Sequence, residues 1–208
     1  MARPLRIEYP GAFYHVFQHG IEQKQIFATA GDRLRFFHYL GKAHTRYGLI
    51  VHSFVLMTTH YHLILETPRS NLSQIMHYLN MSYAAYFNSV RKRLGPVFRG
   101  RFKAILVQQD EYLHQLSRYI HLNPVRAGIV RDPLKYQGSS LKFFLTGCQK
   151  PKWLETDLIL SIFDDNPRRA RKLYRDFILE GIGKKEDIVR KHIKEGCILG
   201  NDEFFERI

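Results

Sequence analysis

The chain is 208 residues long, 45% hydrophobic and 25% charged, which suits one domain with a full core and excludes both two large independent domains and wholesale disorder. Its 32 Lys and Arg against 19 Asp and Glu leave a formal charge of +13, a balance that points to a polyanionic partner, foremost nucleic acid. Cys148 and Cys197 are too few for a disulfide framework and lack metal-ligand spacing, so a reducing compartment fits.

The opening MARPLRIEYPG carries no apolar run of the signal-peptide kind. No stretch approaches the ~18 uninterrupted apolar residues of a membrane span. The expected location is cytoplasmic, associated with the nucleoid, with no membrane partner. Phe13 to Gln18 alternate aromatic and β-branched residues and predict a strand ending at Gly20. From Asp32, a candidate cap, to about Tyr47, Leu34, Phe36, Phe37, Leu40 and Ala43 recur near helical period, with Gly48 as the stop. LIVHSFVLMTTHYHLILETP then reads as two β-rich runs broken at Thr58-Thr59, an antiparallel hairpin or a sharp strand-to-strand turn, ended by Pro68.

Leu72, Ile75, Met76, Leu79, Tyr83, Tyr86 and Phe87 predict a helix from about Asn71 to Arg93, broken by Gly95-Pro96. Arg101 to Gln108 predicts a further strand. A helix starting at Asp110 carries Tyr112, Leu113, Leu116, Tyr119 and Ile120 on one stripe, and Pro124 is expected to close it. Beyond about Lys150 strand signals vanish, and Leu154 to Phe163, Arg168 to Leu179 and Lys184 to Lys194 predict short helices. The order of elements predicts an α+β fold with a mainly antiparallel sheet, and then a helical appendage. The boundary is set between residues 1–148 and 149–208.

His60 and His62 are two apart in a predicted strand, so both face one side while Tyr61 faces the other. Such a pair can chelate a divalent ion; a satisfied pair near a sheet surface is the plainer alternative. Tyr119 and Asn123, four apart on a helix, share a face, although Tyr119 also belongs to the apolar stripe and suits a core position. Arg91, Lys92, Arg93, Arg99, Arg101 and Lys103, interleaved with Phe98 and Phe102, form a basic segment fit for phosphates, with rings that either stack on bases or fill the core. Arg126 follows the candidate tyrosine closely and suits a neighbouring phosphate. Arg168, Arg169, Arg171, Lys172 and Arg175 make a second cluster, either a grip on a duplex stem or an ordinary charged helix face.

Four stretches in order, YPGAFYHV, FVLMTTHYHLILETP, PVFRGRFKAILV and SRYIHLNPVRAGIV, resemble the REP-associated tyrosine transposases of the wider HUH family of single-strand nucleases, over roughly residues 3 to 145. The resemblance implies a ferredoxin/RRM-like HUH nuclease core. It implies that His60 and His62 bind Mg²⁺ or Mn²⁺, that Asn123 completes the metal site, and that Tyr119 is the nucleophile. The implied reaction cleaves and rejoins single-stranded DNA near REP-like hairpins through a 5′-phosphotyrosine. Two departures stand out. Thr58-Thr59 occupies the usual place of Pro-Asn, at the turn that aims the histidines, and Gln18-His19-Gly20 replaces Asn-Arg-Gly, removing an arginine that could meet DNA.

The chemistry is coherent apart from the resemblance. A phenol with a pKa near ~10 is a poor nucleophile at neutral pH and needs a polarised electrophile or a nearby positive charge. Competing readings are a domesticated protein that binds a DNA or RNA hairpin without cutting it, and a metal-dependent phosphoesterase that uses water. A monomer is expected, with the appendage covering the surface at which some relatives dimerise; a dimer is the alternative.

Overall fold

The computed structural model describes residues 6–184, 193–194 and 196–208. Its centre is a six-stranded sheet: β1 (Ala12–His19), β2 (Ile50–Leu56), β3 (His60–Thr67), β4 (Lys103–Val107), β5 (Ile193–Lys194) and β6 (Ile198–Leu199), in the order β2-β3-β1-β4-β6-β5. All neighbouring pairs are antiparallel except β4 with β6. The fold is therefore α+β with a mostly antiparallel sheet flanked by helices.

Helices cover both faces, which is why the strands are buried at nearly every position rather than alternating with water-facing residues. On one face α1 (Ala30–Tyr47) and α2 (Leu72–Val90) press Phe36, Leu40, Leu79 and Tyr83 against Tyr14, Val16, Tyr61, Leu63 and Leu65. On the other face lie α3 (Gln109–Arg126), α4 (Leu141–Thr146), α5 (Asp157–Ser161) and α6 (Pro167–Glu180), packed on Phe13, Val55, Ile64 and Ile105. A short α7 (Asp202–Glu206) follows β6. Among the described residues no helix is long and apolar enough to cross a membrane.

Three local expectations are corrected. Asp32 is not the cap of α1: Thr29 is, its Oγ1 accepting from Asp32 N at 3.2 Å while the Asp32 carboxylate accepts from Thr29 N at 2.8 Å. This reciprocal box satisfies two otherwise orphaned donors. Pro124 does not close α3 but sits inside its last turn, where its missing N–H costs one helical bond; the helix runs on to Arg126, and Ala127 N still donates to Asn123 O at 3.0 Å. Asn123 is thus held within the helix, at the start of its last turn.

The third correction concerns the region beyond residue 150. Its helices are present as the shorter α5 and as α6, which Asn166 caps by accepting from Arg168 N and Arg169 N. It also supplies strands, however: β6 extends the sheet beside β4, with Leu106↔Ile198 and Val107↔Leu199 in register. Two-residue strands carry no alternation to read. Of the helix expected over Lys184 to Lys194, residues 185–192 lie outside the described residues, and its final residues, Ile193–Lys194, are strand. Trp153 packs on Phe37 and Phe54, tying this region to α1 and β2.

Candidate active site

Strand β3 places His60 and His62 on the α3 side of the sheet, and register with β1 sets His19 opposite His60 and Phe17 opposite His62. The His60 and His62 rings are 5.2 Å apart and nearly perpendicular, at 87°. His19 stacks on His60 at 4.8 Å and Phe17 on His62 at 5.5 Å. On the opposite face Tyr61 is fully buried and donates its hydroxyl to Asn80 Oδ1 at 2.7 Å, which anchors the strand from behind. The turn before His60 is pinned through its carbonyls: Thr58 O accepts from Ile26 N and Phe27 N, and Thr59 O from Gly20 N. Thr58-Thr59 therefore makes a fixed turn without a proline.

Across this face α3 brings Tyr119, half-buried, edge-on to His62 (5.9 Å, 85°) and to His15 (6.0 Å, 75°). One turn later the Asn123 side chain is hydrogen-bonded to His60. The Arg126 guanidinium lies 5.1 Å from the centre of the Tyr119 ring. Leu113, Leu116 and Ile120 bury the same helix against the core. A polar network fixes its other side: His121 Nε2 meets Ser140 Oγ at 2.8 Å and Ser53 Oγ at 3.0 Å, and His121 Nδ1 meets the Tyr174 hydroxyl at 2.8 Å. Burial pushes His121 down to about 3, so the network is built on a neutral ring.

The same physics sets the charge of the site. Burial, then the neighbouring His19, brings His60 down to about 4 against the raising effect of its hydrogen bond with Asn123. Burial holds His62 well below its ordinary value, with His15, His60 and His19 adding to the effect. Both rings are neutral at physiological pH and offer lone pairs rather than positive charge. His62 Nδ1 is engaged by His15 Nε2 at 2.9 Å, leaving Nε2 as its available nitrogen, and His60 Nδ1 lies 3.1 Å from Thr59 Oγ1.

Two neutral imidazoles and a carboxamide oxygen form a donor set that fits a divalent cation such as Mn²⁺ or Mg²⁺ with open positions for phosphate oxygens. Among the described residues no group of three or more His, Cys, Asp or Glu is arranged to hold a metal ion, so such a site depends on Asn123.

The basic residues divide. Arg91 is committed: its guanidinium bonds the buried Asp32 carboxylate at 2.6 Å and lies 3.8 Å from the Phe87 ring centre. Arg93 is half-buried and donates to Pro96 O, whereas Lys92 is exposed at a turn with φ 48°. Arg99, Arg101 and Lys103 are exposed, and Arg99 N donates to His19 O at 2.9 Å, bringing this segment to the edge of the histidine cluster. Phe98 is core, and Phe102 packs beneath Arg6. On α6, Arg169 pairs with Asp164, while Arg168, Arg171, Lys172 and Arg175 line a groove of about 500 Å³ with Leu145 and Thr146, apart from the histidines.

His15, Phe17 and His19 are neighbours of this site that motif reasoning missed. Strand alternation already places the three on one face. Their approach to His60 and His62 depends on a register that only the paired strands reveal.

A protein-family model described as "Transposase IS200 like" matches residues 9–123. Among solved structures, a REP-associated tyrosine transposase bound to a REP hairpin superposes with a TM-score of 0.61 at 17% identity, covering 76% of this chain and 93% of that one. A candidate transposase from Deinococcus radiodurans aligns with a TM-score of 0.41 at 18% identity, over 57% of this chain and 95% of that one. No curated protein is significantly similar to the chain.

Proposed function

The chain belongs to the IS200-like transposase family, and from that premise we propose that it is a strand-transferring endonuclease acting on single-stranded DNA beside hairpins, with Tyr119 as nucleophile. The observation that carries this reading is the meeting, across one sheet face, of Tyr119 and Asn123 from α3 with His60 and His62 from β3. In the reaction the Tyr119 hydroxyl oxygen bonds to the scissile phosphorus and loses its proton. The bond from phosphorus to the 3′ oxygen breaks, and that oxygen takes up a proton. The products are a 5′-phosphotyrosine and a 3′-hydroxyl, and reversal by another 3′-hydroxyl rejoins strands without a nucleotide cofactor.

His60, His62 and Asn123 would hold Mg²⁺ or Mn²⁺, which when bound polarises the phosphoryl oxygens and offsets the charge that develops on them. Arg126, over the Tyr119 ring, is placed to hold an adjacent phosphate, and Arg99, Arg101 and Lys103 to guide the strand to the histidines. The α6 cluster of Arg168, Arg171 and Lys172, with Arg169 beside it, offers a separate grip for a hairpin stem. Lys92 and Arg93 sit at the turn before this segment, and Arg91 supports it through Asp32. Residues 1–148 carry the chemistry and 149–208 the supporting grip, in a monomer working in the cytoplasm on nucleoid DNA. The hairpin bound by the structural relative supports that partner class.

The test is incubation with Mn²⁺ and single-stranded hairpin oligonucleotides, read as a covalent protein–DNA adduct on a denaturing gel. An adduct is expected from the wild type and none from Tyr119→Phe. Cleavage that survives Tyr119→Phe without an adduct would show a water-using phosphoesterase. Tight hairpin binding without cleavage, unaffected by EDTA and by His62→Ala, would show a non-cutting binder.

A further inference from the structure

The His62 ring is constrained from two directions by strand β1. Phe17, directly opposite in register, stacks on its face at 5.5 Å and 24°. His15, two residues earlier and diagonal across the rung, places its Nε2 2.9 Å from His62 Nδ1. His15 is only 3% exposed, and its own Nδ1 has no hydrogen-bond partner. An apolar side chain would fill this space without burying an unsatisfied polar atom, which is costly. The expense falls beside the one ring nitrogen whose protonation decides whether His62 can be a ligand.

Two proton arrangements fit the 2.9 Å contact. In one, His62 Nδ1–H donates to the lone pair of His15 Nε2, and His62 Nε2 keeps its own lone pair. In the other, His15 Nε2–H donates to His62 Nδ1, and the hydrogen on His62 Nε2 blocks it as a ligand. We infer that His15 is a positioning residue for His62, fixing its ring orientation and its Nδ1–H tautomer so that Nε2 is offered to the metal. This rests on the metal-dependent reading above. Partners of this kind on metal-bound histidines are worth about 10–100-fold in metal affinity.

The test is titration of the whole protein with Mn²⁺, followed by electron paramagnetic resonance of the free ion, alongside thermal unfolding. His15→Phe keeps an aromatic ring but removes the acceptor, and is expected to weaken Mn²⁺ binding about 10–100-fold while the protein stays folded. His15→Gln, whose carboxamide oxygen can accept from Nδ1–H, is expected to recover part of that loss. In a His62→Ala background, His15→Phe is expected to change Mn²⁺ binding no further. A direct reading uses ¹⁵N-histidine wild-type protein loaded with Mg²⁺, in which His62 is expected as the Nδ1–H tautomer, and this decides the matter if His15→Phe does not fold. A folded His15→Phe with wild-type affinity, or His62 carrying Nε2–H in the Mg²⁺-loaded protein, overturns the inference alone. A wild type that binds neither ion overturns the metal reading with it.

Discussion

The two faces of the central sheet are made by alternate residues of the same strands, yet they are built for different ends. Toward α1 and α2, β1 and β3 send Tyr14, Val16, Tyr61, Leu63 and Leu65 into a packed core with Phe36, Leu40 and Tyr83. Toward α3 the same strands send His15, Phe17, His19, His60 and His62, and the helix answers with Tyr119 and Asn123. The first face supplies stability by removing apolar surface from water. The second accepts buried polar groups, among them His15, whose Nδ1 is unpartnered and whose Nε2 meets His62. Stability and activity should therefore respond to different substitutions on one sheet.

The largest effect belongs to the polar face: Tyr119→Phe is expected to remove the covalent adduct completely while the unfolding midpoint stays close to that of the wild type, measured by gel and by thermal melt. Leu79→Ala on the apolar face is expected to reverse that pattern. It should cost about 2–5 kcal/mol in a urea titration, with Mn²⁺ affinity per folded molecule unchanged. A Leu79→Ala protein that stays fully stable but loses metal binding would break the division between the faces.

Substitutions among the basic residues are expected to have smaller effects. Removing Arg91 leaves Asp32, which is 1% exposed, without its cation and should lower stability by about 1–3 kcal/mol. Arg126→Ala should instead leave stability nearly unchanged, weaken DNA binding and reduce the salt dependence of affinity by about one unit of slope. Fluorescence anisotropy at several salt concentrations separates the two.

The smallest effect is one of pH. His121, in the network behind α3, has a folded pKa near 3 against an ordinary value of 6.5, so below about pH 6.5 the unfolded chain takes up a proton that the folded one refuses. Its contribution to stability is complete above that pH and is lost as pH falls toward 3. Urea midpoints should fall between pH 7 and pH 5. His121→Phe should start from a lower midpoint and show a shallower fall.

Much of this was legible in the sequence wherever the cause is local. Helical periodicity with Gly48 as a left-handed stop placed α1, and the Thr58-Thr59 break placed the β2–β3 hairpin. The spacing of His60 with His62 and of Tyr119 with Asn123 gave shared faces on a strand and a helix. What escaped was non-local. His15 and His19 join the site through strand register, and the bond of Arg91 to Asp32 joins residues 59 positions apart. The strands β5 and β6 are two residues each, β6 pairing with the edge of β4 and β5 with β6. Asp32 and Pro124 were misjudged for a related reason, since a residue type marks a helix end only within a residue or a turn.

Whether Tyr119 carries the cleaved strand is read most directly by mass spectrometry of the peptides released after reaction with Mn²⁺ and a hairpin oligonucleotide, followed by nuclease and protease digestion. The expected result is a nucleotide joined by a 5′-phosphodiester to the oxygen of Tyr119, absent when Tyr119 is Phe. A nucleotide on another side chain, or cleaved DNA with a 5′-phosphate and no modified peptide, would contradict it.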